Sequence, residues 1–315
     1  MGRFKVVVTD QVFPDVDVER ELLASVDADL VVADGTAEGV VAQARDADAL
    51  LNTYLPVDAD LIAQLERCRI IARYGIGVDN IDIEAAEKSG IVVTNVPDYC
   101  VEEVALHTAA LLLALLRKVV EGDRLVRQGK WGIDELRPMR RVGELTVGLV
   151  GYGRIARRVG DIVRVLGADL LVYDPYVTAG PDGPRLVELD ELLAGSDAIS
   201  VHAPLTPQTR GLIGERELAL MPDSAVLVNT SRGPLIAFDA LEAALRRGDI
   251  AAAALDVFEA EPPDAQRVRE VPNLVATPHS AFYSEEALRE SQRKAATQIV
   301  KVLSGQDPDY RVQPS

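Results

Sequence analysis

The sequence predicts an α/β protein of two doubly wound, parallel-sheet domains with a cleft between them. Three observations carry this. Short apolar, β-rich runs alternate with helical patterns nearly throughout the 315 residues, as repeated βα units require. The apolar run Thr146–Val150 leads directly into Gly151, Gly153 and Ala156, in G-x-G-x-x-A spacing, and then into a helical pattern over 155–166. A further apolar run, Asp169–Tyr173, ends at Asp174, 23 residues after Gly151. Strand, glycine-rich turn, helix, strand and terminal acid make a Rossmann-like dinucleotide-binding unit.

The first series of strand-like runs falls at 5–10, 29–33, 49–54, 70–74 and 91–95, with helical patterns such as 58–67 and 83–89 between them. Charged residues are nearly absent from the strand interiors, as burial on both sheet faces demands. Pro97 and Asp98 mark a boundary before one long helical pattern over 101–126. The second series begins at Thr146 and continues at 170–173, 198–202, 226–229, 253–257 and 274–276, six strands that suit a complete dinucleotide-binding sheet. A last amphipathic helix is expected over about 285–303. Ser284 can cap it, Glu285 and Glu286 suit its positive end, and Gly305 can close it. Because this helix follows the sixth strand, it is expected to return to the first domain. The domains are then 1–100 plus 284–315, a discontinuous flavodoxin-like substrate-binding domain, and 101–283, the dinucleotide-binding Rossmann domain.

Composition narrows the classes. With 48% hydrophobic and 26% charged residues the chain is ordinarily globular. A net charge of −17 repels nucleic acid and anionic membrane. The two cysteines, Cys68 and Cys100, offer neither a disulfide framework nor metal-ligand spacing, so no metal and a reducing cytoplasm are expected. The N-terminus lacks the apolar core of a signal peptide. The most apolar segment, 105–116, is shorter than the roughly 20 residues of a membrane span and contains His107. It is expected to be a core or subunit-interface helix, the latter implying a homodimer.

The cofactor reading starts at the glycines. Gly151 and Gly153 let backbone N–H groups approach a pyrophosphate, and the helix beginning at Arg154 adds positive potential. Asp174 can accept the adenosine ribose hydroxyls and would repel the extra phosphate of NADP, so NAD is the expected cofactor.

Three residues past strand ends suit hydride reduction of a small 2-keto acid. Arg232, in VNTSRGPLI, can hold a carboxylate in bidentate fashion and stays charged. His279, in VATPHSAFYS, can pass a proton both ways. Glu261, in DVFEAEPP, can stabilise the imidazolium. All three sit past the carboxyl ends of strands in one series, where α/β proteins bind ligands.

The segments GYGRIA, HAPLTPQT, NTSRG, LDVFEAEPP and TPHSAFYS, with RYGIGVDNID upstream, resemble the D-isomer-specific 2-hydroxyacid dehydrogenase family over nearly the whole chain. The resemblance implies Arg232, Glu261 and His279 as the catalytic trio. It implies Asp256 as a nicotinamide carboxamide contact, and adds Arg154, Ile155, Thr108, His202, Ala203, Pro204, Thr209 and Thr230 to the cofactor set. It also implies that the backbone of Tyr74, Gly75 and Ile76 lines the substrate carboxylate. Asn52, Thr53, Tyr54 and Phe282 are candidate pocket residues, and an aromatic at Phe282 suggests an apolar substrate side chain.

Within the family, PDYCVEEVALHTAALLLALLR and HSAFYSEEAL look most like the branch that includes C-terminal binding protein. That branch supplies a rival reading, an NAD(H)-sensing corepressor-like interaction protein. Phosphoglycerate dehydrogenases are similar too, but Asn52 stands roughly where they carry a phosphate-binding arginine. The expected activity is NAD-dependent interconversion of a 2-keto acid and a D-2-hydroxy acid, with water expelled as the domains close.

Overall fold

A computed structural model describes residues 2–178 and 183–314. The chain divides into two compact units, Met1–Tyr99 with Ser284–Ser315, and Cys100–Tyr283.

In the first unit, β1 (Phe4–Val8), β2 (Ala28–Val32), β3 (Ala49–Asn52), β4 (Ile70–Arg73) and β5 (Val92–Thr94) alternate with helices α1 (Asp17–Ala24), α2 (Ala37–Ala44), α3 (Ala59–Ile62) and α4 (Ile83–Lys88). The strands pair in parallel in the order β2-β1-β3-β4-β5, a flavodoxin-like doubly wound order. Val7, Leu50 and Ile71 pack on Val40, Ala44, Leu61 and Ile62, each burial contributing about 1.5–3 kcal/mol for the larger side chains. Helix α3 is a single turn rather than the helix expected over 58–67. Asp58 caps it through Leu61 N–H, and the chain then turns towards β4.

The second unit holds a seven-stranded parallel sheet in the order β12-β11-β10-β9-β6-β7-β8. Its strands are β6 (Thr146–Val150), β7 (Asp169–Tyr173), β8 (Arg185–Leu186), β9 (Ala198–Val201), β10 (Val226–Asn229), β11 (Ala252–Leu255) and β12 (Leu274–Ala276). The seventh strand, β8, was not expected, because two residues are too few to show a strand pattern. Side chains alternate strictly between the faces. Val147, Leu149, Val228 and Ala254 join the core beneath α5 (Val101–Leu116) and α7 (Arg154–Val165). Val150, Ile199, Val201, Leu227 and Leu255 join the core beneath α8 (Leu189–Gly195), α9 (Glu215–Leu220) and α10 (Phe238–Arg247). Helix α11 (Ala265–Glu270) precedes β12. The strand order reverses between β6 and β9, the position where ligands bind in such sheets.

The helix expected over 101–126 is two helices. Lys118, at φ 49 in the left-handed region, ends α5 and starts α6 (Val119–Arg127). The apolar face of α5 is spent inside its own unit, with Val104, Ala105, Thr108, Ala109, Leu111, Leu112 and Leu115 all buried. Helix α6 buries none of its residues. Exposed apolar residues lie within α5 at Leu106 and after it at Val119, Val126, Trp131 and Ile133.

Helix α12 (Glu285–Leu303) is capped by the Ser284 hydroxyl, which accepts from Ala287 N–H. Gly305, at φ 78, follows its end. The helix packs on α1 and β4 of the first unit.

Candidate active site

The loop after β6 begins at Gly151, whose φ of 93 favours glycine. A Cβ there would stand 2.8 Å from the backbone carbon of His202, so the loops after β6 and β9 touch only because no side chain intervenes. Gly153 is different. Its φ of −74 suits any residue, and a Cβ would meet nothing of the chain within 4 Å. Gly153 is exposed, and the space above it is open. It adjoins the first turn of α7, which no side chain of its own caps. Ala156 is fully buried against the sheet. Arg154 is exposed on the first turn, and Ile155 is partly buried behind it.

Asp174 ties this loop to the end of β7. One carboxylate oxygen accepts Tyr152 N–H at 2.7 Å and the other Tyr176 N–H at 2.9 Å. An ionised carboxylate has about four acceptor positions, so two remain for ribose hydroxyls. These residues fit a dinucleotide: an open backbone turn at a helix N-terminus, with an acid at the neighbouring strand end.

The turn after β10 is built by buried Asn229. Its side chain donates to Arg232 C=O at 2.8 Å and accepts Ser231 N–H at 3.0 Å, while the Ser231 hydroxyl donates to Val201 C=O. Arg232 is partly buried and donates one guanidinium bond to Ser231 C=O. Gly233 sets the turn directly against the next loop, since a Cβ there would lie 1.9 Å from the backbone carbon of Phe258. Phe258 N–H in turn donates to Glu261 Oε1 at 2.9 Å.

Glu261 Oε2 meets His279 Nδ1 at 2.6 Å. Donation from Nδ1 fixes the tautomer and assigns the exchangeable proton to Nε2. Burial alone would raise the Glu261 pKa. The bonds from His279 and Phe258 and the charges of His279 and Arg232 outweigh it and hold the carboxyl below the usual range. Its contribution to folding is thus fully present above the ordinary glutamate value and is lost as pH falls through the lowered one. The Phe282 ring stands edge-on to the His279 ring at 6.1 Å.

His279 occupies the left-handed region at φ 52, which costs a non-glycine residue about 1–2 kcal/mol. Asp256, 1% exposed, holds it there. Asp256 C=O accepts His279 N–H at 2.8 Å, and its carboxylate accepts Ser280 N–H, Ala281 N–H and the Thr277 hydroxyl. The carboxylate expected to face nicotinamide thus also organises the loop that carries His279.

The remaining cofactor candidates of this unit differ in reach. His202 bonds Ser200 Oγ at 2.9 Å, and burial pushes its pKa down to about 4, so it is neutral near pH 7. Ala203 is buried and Pro204 exposed. The Thr209 hydroxyl donates to Pro204 C=O and closes that turn. Thr108 is fully buried, donates to Val104 C=O, and lies 2.8 Å from the Thr230 hydroxyl. Its side chain is a packing element rather than a surface contact.

In the first unit, two of the expected site residues are buried. Asn52 is fully buried, and its amide is spent on Thr9, Leu55 and Asn80. It braces the loops around it. Tyr74 is 2% exposed, with its phenol on Glu19, its N–H on Asn52 C=O and its C=O on the Ser291 hydroxyl. Its backbone is therefore already committed. Gly75 C=O accepts from Val96 and Ile76 C=O from Asn95. Among the described residues their own N–H groups meet no acceptor. Two such groups together suit an anion. The sequence does not single out Arg73, yet its guanidinium lies against Gly75, where a Cβ would be 1.7 Å from Nη1. Its position at a strand end in RYGIG was the available signal. Thr53 and Tyr54 are held by Asp10, through Thr53 N–H at 3.0 Å and Tyr54 N–H at 2.5 Å, and Tyr54 is 44% exposed.

Among the described residues no His, Cys, Asp and Glu group is arranged for a metal, and no helix is long and apolar enough to cross a membrane.

The family model described as D-isomer specific 2-hydroxyacid dehydrogenase, NAD binding domain, matches residues 109–281. The chain belongs to the D-isomer specific 2-hydroxyacid dehydrogenase family. Among the relatives of this 2-hydroxyacid dehydrogenase family member, the glyoxylate reductase of Aeropyrum pernix is 41% identical over 98% of the chain and 95% of its own length. The D-3-phosphoglycerate dehydrogenase of Methanocaldococcus jannaschii is 38% identical over 96% of the chain, which spans only 58% of that protein. The solved D-lactate dehydrogenase from Aquifex aeolicus, complexed with NAD and lactic acid, is 30% identical with a TM-score of 0.88, covering 99% of this chain and 100% of that one.

Proposed function

We propose that this dehydrogenase-family protein interconverts a small 2-keto acid and the corresponding D-2-hydroxy acid with NAD. The observation that carries the reading is the 2.6 Å Glu261–His279 pair, beside Arg232 and at the same sheet edge as the open Gly153 turn. NAD, held by the 151–155 loop and Asp174, supplies or accepts the hydride when bound. Arg232 holds the substrate carboxylate and draws electron density from the carbonyl. His279 donates its Nε2 proton to the oxygen that becomes the hydroxyl, and accepts it in the reverse direction. Glu261 keeps the ring oriented and stabilises its protonated form.

The N–H groups of Gly75 and Ile76 support an anion contact in the first unit, as the family resemblance implies. A glyoxylate reductase and a D-lactate dehydrogenase among the relatives support a small 2-keto acid, and Phe282 beside His279 supports an apolar side chain. The deciding experiment follows NADH absorbance with a panel of 2-keto acids. Oxidation with at least one small member is expected. Tight NADH binding without turnover on any of them would favour the sensor instead.

Asp174 carries a second expectation. Asp174→Ala removes both the ribose acceptor and the anchor of Tyr152 N–H, so KM for NADH should rise about tenfold or more, and the NADH/NADPH preference should narrow. Steady-state kinetics with both cofactors checks this, and equal use of both by the unmutated protein would contradict it.

We assign the exposed Val119, Val126, Trp131 and Ile133 to a homodimer surface, since Trp131 is 91% exposed and apolar clusters of this kind mark interfaces. Sedimentation equilibrium checks it. A reducing cytoplasm suits Cys68, a buried thiol outside any disulfide.

A further inference from the structure

We propose that His107, on α5, is a positioning residue for His279, acting through Thr277 and Asp256; this rests on the reading of His279 as the acid. His107 Nε2 lies 3.1 Å from Thr277 Oγ1 and 3.6 Å from Asp256 Oδ1. The Thr277 hydroxyl has one proton, and the carboxylate 2.5 Å away offers it only acceptors. Thr277 therefore donates to Asp256 and accepts from His107 Nε2–H. This assigns the tautomer of His107.

The result is one continuous chain of bonds. It runs from α5 through Thr277 to Asp256, and from Asp256 to the amides of His279, Ser280 and Ala281. His279 lies inside this loop in the left-handed region, a conformation that persists only while its surroundings enforce it. A polarised Thr277 hydroxyl is a stronger donor to the carboxylate. This tightens the loop.

An apolar residue could fill this place on the helix equally well. What distinguishes His107 is that its side chain is only 25% exposed and directs its donor into the loop rather than out to water. Displacements of about 1 Å in catalytic groups cost up to about 100-fold in rate, so a loosened loop has a readable effect.

The test uses the full chain with two readouts. Hydrogen exchange of the Ser280 and Ala281 amides is followed by NMR, and kcat and KM by NADH oxidation. His107→Leu keeps bulk and removes the donor. It should speed exchange of the two amides about tenfold and lower kcat about tenfold, with KM and the NADH Kd within about twofold. His107→Gln, which has a side-chain N–H donor, should restore most of both. Unchanged amide exchange in His107→Leu overturns the proposal whether or not the unmutated protein reduces a keto acid. Faster exchange in a protein without turnover upholds the positioning role and rejects the enzyme reading alone. Equal losses with Leu and Gln, accompanied by lost protection along α5, also overturn it, since they would make His107 a packing residue.

Discussion

Arg232→Ala is expected to lower kcat/KM for a keto acid by about 10³-fold or more while NADH still binds within about twofold of the unmutated Kd. The guanidinium has two tasks in the proposed reaction, gripping the carboxylate and stabilising charge as it builds on the carbonyl oxygen. Removing a single preorganised donor of the second kind costs about 10²–10³-fold by itself. The Gly151–Gly153 loop is tied to the end of β7 through Tyr173 C=O and Asp174, and the turn that carries Arg232 is built separately by Asn229 and Ser231. Cofactor binding should therefore survive. Arg232→Lys keeps the charge but not the planar fork, so it should recover only part of the loss. Steady-state kinetics with a fluorescence titration of NADH checks both statements, and retained turnover in the alanine variant would remove Arg232 from the mechanism.

His279→Ala should reduce turnover by about 10²–10⁴-fold at every pH tested, the range a positioned acid–base group contributes. The loss cannot be repaired by acidifying the buffer, since solvent protons do not replace a donor held in place. The unmutated protein should keep its activity on the acid side until Glu261 takes up a proton, which happens below the ordinary carboxylate range because His279, Phe258 N–H and Arg232 all favour its ionised form. Glu261→Gln can still accept from Nδ1–H but brings no charge. It should therefore keep the ring oriented, lose about tenfold or more in kcat, and lose the acid-side break assigned to Glu261. A pH–rate profile of all three proteins checks this. An unchanged profile in His279→Ala would end the claim that His279 moves the proton.

Much of the architecture was legible because the relevant signals are local. Parallel strands buried on both faces read as apolar runs, and Thr146–Val150 followed by Gly151 and Gly153 reads as a strand entering a dinucleotide turn. The cap of α12 at Ser284 is equally local. Other features follow from contacts far apart in sequence. The break at Lys118 has no glycine or proline to announce it, and only the packing of α5 within its own unit shows which of its apolar residues are buried. Asn52 reads as a pocket residue, yet its bonds to Thr9, Leu55 and Asn80 appear only in the fold. Asp256 reads as a cofactor contact, yet its bonds to Thr277, Ser280 and Ala281 appear only once β11 and β12 lie side by side.

The sequence by itself determined the repeated βα plan, the glycine-rich turn and the residue types able to hold a carboxylate and move a proton, since these depend on periodicity and side-chain chemistry. The tertiary structure alone decided that Glu261 grips His279 Nδ1, that Gly233 brings the arginine turn onto Phe258, and that His107 reaches the loop from a separate helix. The physical reason is that strand order and loop contact are settled by which buried faces close on one another, and no short window of residues contains that information.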